Sequence, residues 1–232
     1  MENYDIGIIG AMSAEVEAII SALDSAKEET VSGVKIYTGT LFGKRVAVTT
    51  CGVGKVFAAL AAEAVILKYS PTLIVNTGVG GAISPELRPL DILFASRAVQ
   101  HDMDTSPLGD PKGLISGINK IYFETDKRAV DILKGLAAEL GVRYRIGTVA
   151  TGDRFVSDRA DKCRIANDFS ADVCEMEGAA IAQVAFVNNT PVAIVRAISD
   201  SADGDASMDY SEFLPRAAKI STELTFGLVK NY

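Results

Sequence analysis

Short apolar runs alternate along this chain with longer stretches of helical periodicity. Ile6-Gly7-Ile8-Ile9-Gly10-Ala11 is continuous apolar sequence, which predicts a strand buried on both faces. Met12-Ser13-Ala14-Glu15-Val16-Glu17 then opens a helix, with Ser13 as its predicted N-cap. Residues 34–41 and 45–51 predict a hairpin across Phe42-Gly43-Lys44. An Ala-rich helix follows over 56–68, then buried strands over 73–77 and 91–99. Residues 126–140 are helical in period and end at Gly141. Residues 145–150 form a strand, and Ser157 or Asp158 caps a helix reaching 167. The rest reads as a helix over 178–187, a strand over 191–198, a flexible polar stretch at 201–205 and a helix over 211–229. Strands alternating with helices predict one α/β domain over 1–232, with a mostly parallel sheet and helices on both faces.

Two strand ends carry carboxylates. In Val173-Cys174-Glu175-Met176-Glu177-Gly178 two acids flank a methionine where a short apolar run meets a helix. In Ile194-Val195-Arg196-Ala197-Ile198-Ser199-Asp200 a second apolar strand ends in Ser-Asp. Such strand ends are where α/β sheets bind ligands. Gly78-Val79-Gly80-Gly81 places three glycines in four residues, which suits backbone that turns tightly or passes close to a ligand. Arg196 lies within apolar sequence, and a buried guanidinium needs an anion or several acceptors. Glu15 and Glu17 by themselves read as solvated first-turn acids favoured by the helix dipole. Residues 101–118 are polar and rich in Gly and Pro, so a long surface loop is predicted, a feature that is often functional.

Several motifs are excluded by their spacing. Gly7-x-x-Gly10 is not the dinucleotide fingerprint, and Gly52-Val53-Gly54-Lys55-Val56 lacks both the first glycine and the hydroxyl residue of a phosphate-binding loop. His101, Asp102 and Asp104 offer one imidazole and two loop carboxylates, too little for a metal site.

Composition narrows the partners. Of 232 residues, 48% are hydrophobic, enough for the core of a single domain. The net charge is -7 with no dense Lys/Arg cluster, which argues against nucleic acid or a membrane surface as partner. No apolar run approaches the roughly 18 residues a membrane span needs. The acidic start lacks the basic region of a signal peptide. Cys51, Cys163 and Cys174 are widely spaced in or near apolar runs, so buried free thiols and a cytoplasmic location are expected.

Taken together and in order, Gly10-Ala11-Met12-x-x-Glu15, Gly52-Val53-Gly54-Lys55, Asn76-Thr77-Gly78, His101-Asp102, Gly152-Asp153-x-Phe155, Glu175-Met176-Glu177 and Arg196-Ala197-Ile198-Ser199-Asp200 resemble the methylthioadenosine/S-adenosylhomocysteine nucleosidases. These belong to the nucleoside phosphorylase superfamily. The resemblance spans almost the whole chain. It implies a single α/β domain with a mixed, partly barrel-like central sheet flanked by helices, and a homodimer. It also implies hydrolysis of an N-glycosidic bond with adenine as leaving group, without metal or organic cofactor.

Carried over by position, Glu15 polarises the attacking water with Arg196 nearby. Asp200 protonates purine N7, its carboxylate oriented by Ser199. Glu177 binds the ribose hydroxyls and Met176 packs on the sugar. Phe155 stacks on the base and the backbone of Val156 bonds its edge. Met12, Val53, Gly81 and Tyr210 match pocket-lining positions. Thr105 and Leu108, in the 101–118 loop, match residues that reach the partner subunit's 5'-substituent site. Two departures stand out: Val79 replaces the serine that helps hold the water, and the loop after His101 diverges.

The resemblance leaves rivals. A phosphorylase of the same superfamily would need arginines at the position of Asn76 and after Gly10, where none is present. An aminodeoxyfutalosine hydrolase would use the same acids. A non-catalytic nucleoside sensor would not need Glu15, Glu177 and Asp200 together.

Overall fold

The computed structural model describes residues 3–200 and 206–232, with side chains in the last helix described from residue 213 onward. In chain order its elements are β1 (Ile6–Gly10), α1 (Ser13–Ser21), β2 (Asp24–Val31), β3 (Val34–Leu41), β4 (Lys44–Thr50), α2 (Lys55–Tyr69), β5 (Leu73–Ala82), β6 (Ile92–Gln100), β7 (Tyr122–Glu124), α3 (Lys127–Leu140), β8 (Tyr144–Thr151), α4 (Arg159–Phe169), β9 (Val173–Glu175), α5 (Gly178–Val187), β10 (Val192–Asp200) and α6 (Ala206–Asn231).

The sheet closes on itself. Strand β5 pairs in parallel with β10, β10 antiparallel with β6, β6 in parallel with β8, β8 in parallel with β9, and β9 antiparallel with β5. From this five-stranded ring an open arm of β1, β4, β3 and β2 extends from β5. The mostly parallel sheet read from the helix–strand alternation is therefore corrected to a mixed one, partly barrel-like. Alternation sets the crossovers but not the direction in which distant strands meet.

Side chains alternate across the strands, as a two-residue period requires. Ile6 and Ile8, Leu73 and Val75, and Ala193, Val195 and Ala197 face a core completed by α1, α3 and α6. Ile9, Ile74, Val192, Ile194 and Ile198 face the other core, completed by α2 and α5.

Three local expectations change, and one strand is new. Ser13 is the first residue of α1 and Met12 holds the N-cap position; the helix start is closed instead by Glu15. β5 does not end at Thr77 but continues through the glycines, because β10 and β9 supply partners for its backbone. β2 is a charged, exposed edge strand with no apolar alternation for sequence to reveal, the usual protection of an edge. Cys163 is exposed, whereas Cys174 is buried and Cys51 half-buried. Asp158 is the cap of α4, accepting the Asp161 amide at 3.1 Å. Residues 201–205 and the side chain of Tyr210 lie outside the described residues. Among the described residues no helix is long and apolar enough to cross a membrane.

Candidate active site

A cleft opens where the ends of β1, β4, β8, β9 and β10 meet the glycine-rich half of β5. It brings together Glu15, Met12, Val53, Gly81, Phe155, Val156, Met176, Glu177, Ser199 and Asp200. Val79 also lines it. Thr105 and Leu108 do not line this chain's cleft; they lie in and beside a single 3-10 turn, Ser106–Leu108, with Leu108 exposed. Arg196 does not line it either.

The glycines of β5 explain how two acids reach the same backbone. A side chain at position 78 would begin 2.6 Å from Glu15 Oε1, and one at 81 would begin 2.7 Å from Asp200 Oδ2. Bare backbone at both positions leaves room for the carboxylates.

Glu15 is a buried member of the first turn of α1, not a solvated one. Its Oε2 accepts the amides of Ala11 at 2.7 Å and Met12 at 3.0 Å, and its Oε1 accepts the Val79 amide at 3.1 Å. Burial raises its carboxyl above the ordinary range, while the Arg196 charge and these three amides oppose the rise. The valine that replaces the serine hydroxyl at position 79 thus still holds Glu15 through its backbone.

The Glu-Met-Glu stretch divides its acids between two tasks. Glu175 ends β9 at the wall of the cleft, with both carboxylate oxygens bonded to the protein. Its Oε2 accepts the amides of Gly178 at 2.7 Å and Glu177 at 3.1 Å and pairs with Arg196; its Oε1 takes the Thr151 hydroxyl. A carboxylate at the first amides of α5 is favoured by the helix dipole. Arg196 also donates to the side chain of Asn76 and to the carbonyls of Asn76 and Val195, the carbonyl contacts at 3.3 and 2.9 Å. Its guanidinium is engaged with Glu175 and Asn76, and it acts on Glu15 only as a nearby charge. Asn76 in turn donates to the Ile9 carbonyl at 3.0 Å.

Glu177 faces the cleft and accepts the Gly54 amide at 2.9 Å. Burial, with the Glu175 charge second, pushes its carboxyl up to about 7, against the pull of the Gly54 amide and Arg196. From this follows a pH prediction. The folded state holds a proton on Glu177 that the unfolded state, near the ordinary 4.5, has lost. Stability contributed by this group is therefore lost as pH rises from about 4.5 to about 7. Glu177→Gln is expected to flatten that part of the pH dependence of thermal unfolding; an unchanged slope would refute it.

Asp200 closes β10. Its Oδ1 takes the Ser199 hydroxyl at 2.9 Å, and its Oδ2 lies 3.3 Å from Lys162 Nζ. Lys162 and Asp200 are both buried. Sequence reading does not single out Lys162, although its i, i+3, i+7 spacing with Ile165 and Phe169 on α4 marks a buried face.

The rim explains the remaining motifs. Lys55 Nζ binds Asp102 at 2.7 Å and Gln100 at 3.2 Å. Asp102 accepts the Asp153 amide at 3.0 Å, and Asp153 accepts the Lys55 amide at 2.7 Å. This network ties the 52–55 turn, and so the Gly54 amide, to the start of the long loop. Burial lowers the His101 imidazole below its ordinary value, keeping it neutral. Asp104 caps the Ser106 amide at 2.8 Å. Among the described residues no group of three His, Cys, Asp or Glu is arranged to hold a metal.

A five-stranded ring with an acid-lined cleft beside its Gly-rich strand defines an α/β fold with a mixed, partly closed sheet. The chain belongs to the phosphorylase superfamily, whose family model matches residues 5–230. Within it, the chain is 37% identical over 225 residues to the 5'-methylthioadenosine/S-adenosylhomocysteine nucleosidase of Haemophilus influenzae, covering 97% of this chain and 98% of that one. It is 36% identical over 223 residues to the aminodeoxyfutalosine nucleosidase of Campylobacter jejuni, covering 96% of this chain and 97% of that one. The structure of the Neisseria meningitidis 5'-methylthioadenosine/S-adenosylhomocysteine nucleosidase, solved with methylthio-immucillin-A, superposes with a TM-score of 0.94 at 31% identity, covering 99% of this chain and 100% of that one.

Proposed function

We propose that this protein is a nucleosidase that hydrolyses the N-glycosidic bond of 5'-methylthioadenosine and S-adenosylhomocysteine, releasing adenine and the 5-thio-substituted ribose. The observation that carries the reading is the charge of the cleft. Glu15, Glu177 and Asp200 line one cavity, whose one cationic lining residue among those described, Arg154, is paired with Asp161 at 2.6 Å. Asn76, where a phosphorylase would place an arginine, is committed to Arg196 and Ile9. Water, not phosphate, suits this site.

In this reading Asp200 gives its proton to purine N7, and the C1'–N9 electron pair leaves with the base. Water adds to C1' and loses a proton to Glu15. A buried carboxylate is a better base than a solvated one, which suits Glu15. Glu177 binds the ribose hydroxyls and, with Glu15, offsets the positive charge developing on the ribose. Met176 packs on the sugar, Phe155 stacks on the base, Val156 bonds its edge through the backbone, and Met12, Val53 and Gly81 shape the walls. Arg196 serves through Glu175: it holds the start of α5, and so Glu177, in place.

Ultraviolet-monitored release of adenine from methylthioadenosine tests the reading. Turnover is expected without phosphate and unchanged by it; dependence on phosphate, with ribose 1-phosphate as product, would overturn it. The likeness to the Campylobacter jejuni enzyme supports aminodeoxyfutalosine as a second substrate, for which a panel of 5'-substituted adenosines is the test.

A homodimer and a cytoplasmic location belong to the same reading. Val53, Val56, Phe57 and Leu60 are exposed at the start of α2 beside the cleft, an apolar patch of the kind that marks an interface. Leu108 is 84% exposed on a loop that does not serve this chain's own cleft, which supports its insertion into the partner's. Val56→Asp with Phe57→Asp is expected to yield a monomer by sedimentation, with reduced turnover. A double variant that remains dimeric would remove this face from the interface. Three free cysteines suit a reducing compartment.

A further inference from the structure

Helix α4 packs Ile165 and Phe169 into the small apolar cluster behind β8 and β9. Lys162 occupies the same buried face one turn earlier and is 3% exposed. An ammonium there gives up hydration that an apolar side chain would not need, so it requires a charged partner. Asp200 is a partner, at 3.3 Å through Oδ2, while Ser199 holds the other oxygen at 2.9 Å. Lys162 does not line the cleft. It meets the carboxylate from α4, outside the residues that line the cleft.

We propose that Lys162 is a positioning residue for Asp200: its ammonium holds the carboxyl group against Gly81 and stabilises the negative charge that appears there as the proton leaves for the purine. The proposal rests on the hydrolase reading above. In the step concerned, the Asp200 O–H bond breaks as the N7–H bond forms, and the electron pair stays on the carboxylate. The ammonium attracts that carboxylate more than the neutral acid, so it favours the transition state over the ground state. The same attraction favours the ionised form in the empty site, and so limits the pH range over which Asp200 is available as an acid. Among the described residues, the other groups placed to influence it are Cys174 from β9 and, sharing the cleft, Glu15, Glu175, Glu177 and Arg154. Burial keeps the Cys174 thiol neutral, pushed up to about 12.

Lys162→Met removes the charge at similar length, and Lys162→Gln keeps a hydrogen-bond donor without charge. Both are expected to lower kcat for methylthioadenosine by roughly 10–100-fold with little change in KM. In both, the alkaline limb of the kcat profile is expected to move to higher pH. Carbon-13 NMR of labelled aspartate, with Asp200→Asn for assignment, should show the Asp200 carboxyl titrating at higher pH in each variant than in the unsubstituted protein. A folded Lys162→Met or Lys162→Gln protein whose limb and carboxyl titration both coincide with those of the unsubstituted protein overturns the proposal, whatever its kcat. The NMR titration needs no turnover. An unsubstituted protein that releases no adenine would therefore defeat the hydrolase reading while the ammonium–carboxyl contact is still decided separately.

Discussion

Asp200→Asn is expected to slow adenine release by roughly 10²–10⁴-fold, the contribution of a positioned general acid. The substitution keeps size and shape. The Ser199 hydroxyl that bonds Oδ1 at 2.9 Å has a carboxamide oxygen available as acceptor, and Gly81 still leaves room for the group. What is lost is the transferable proton, together with the carboxylate charge that faces the Lys162 ammonium at 3.3 Å. Adenine leaving as an anion is a poor leaving group, so the cost falls on kcat, while ground-state contacts from Phe155, Met176 and Glu177 remain. Calorimetry with methylthioadenosine on the slow variant should therefore show binding close to that of the unsubstituted enzyme with a non-hydrolysable analogue. Near-normal turnover in Asp200→Asn would take the acid role away from Asp200.

Arg196→Met is expected to destabilise the fold by about 3–5 kcal/mol, the usual consequence of removing one partner of a buried ion pair. Arg196 is 1% exposed and Glu175 8%. Without the guanidinium, Glu175 keeps the amides of Gly178 and Glu177 and the Thr151 hydroxyl, but no countercharge in direct contact. Asn76 and the Val195 carbonyl lose partners as well. Replacing both members, Arg196→Met with Glu175→Leu, should recover part of the stability, because no buried charge is stranded. Urea unfolding of the two proteins checks both statements. A loss of less than about 1 kcal/mol in Arg196→Met, within the range of an ordinary substitution, would show that the pair does not hold this junction together. If kcat collapsed while stability held, Arg196 would act on the reacting water directly, as the family resemblance implies.

The division between sequence and structure follows the range of the interactions. The apolar runs at β1, β5 and β10 were legible because burial on both faces leaves mostly Val, Ile, Leu, Ala and Gly along them. The helices α2, α3 and α5 were legible from their composition and period, and the acids at Glu175, Glu177 and Asp200 stood out because they interrupt apolar sequence at strand ends. Those features are local, and a local pattern records which residues are turned inward. The charged strand β2 escaped because an exposed edge imposes no such pattern.

What the chain's order does not encode locally is which distant strands meet. Closure of the ring through β5, β9 and β10 makes β5 run on through its glycines, and sets Glu15 and Asp200 against the same strand. It also separates two acids only two positions apart: Glu175 turns inward to Arg196, and Glu177 turns to the Gly54 amide and the cleft. Lys162 becomes the neighbour of Asp200 only once α4 packs across β8 and β9. Sequence by itself determined which apolar segments are buried and which strand ends carry acid. The tertiary structure alone decided which acid is countered by which cation, because charges in a low-dielectric interior act on whatever the fold brings within a few ångströms, however far apart along the chain.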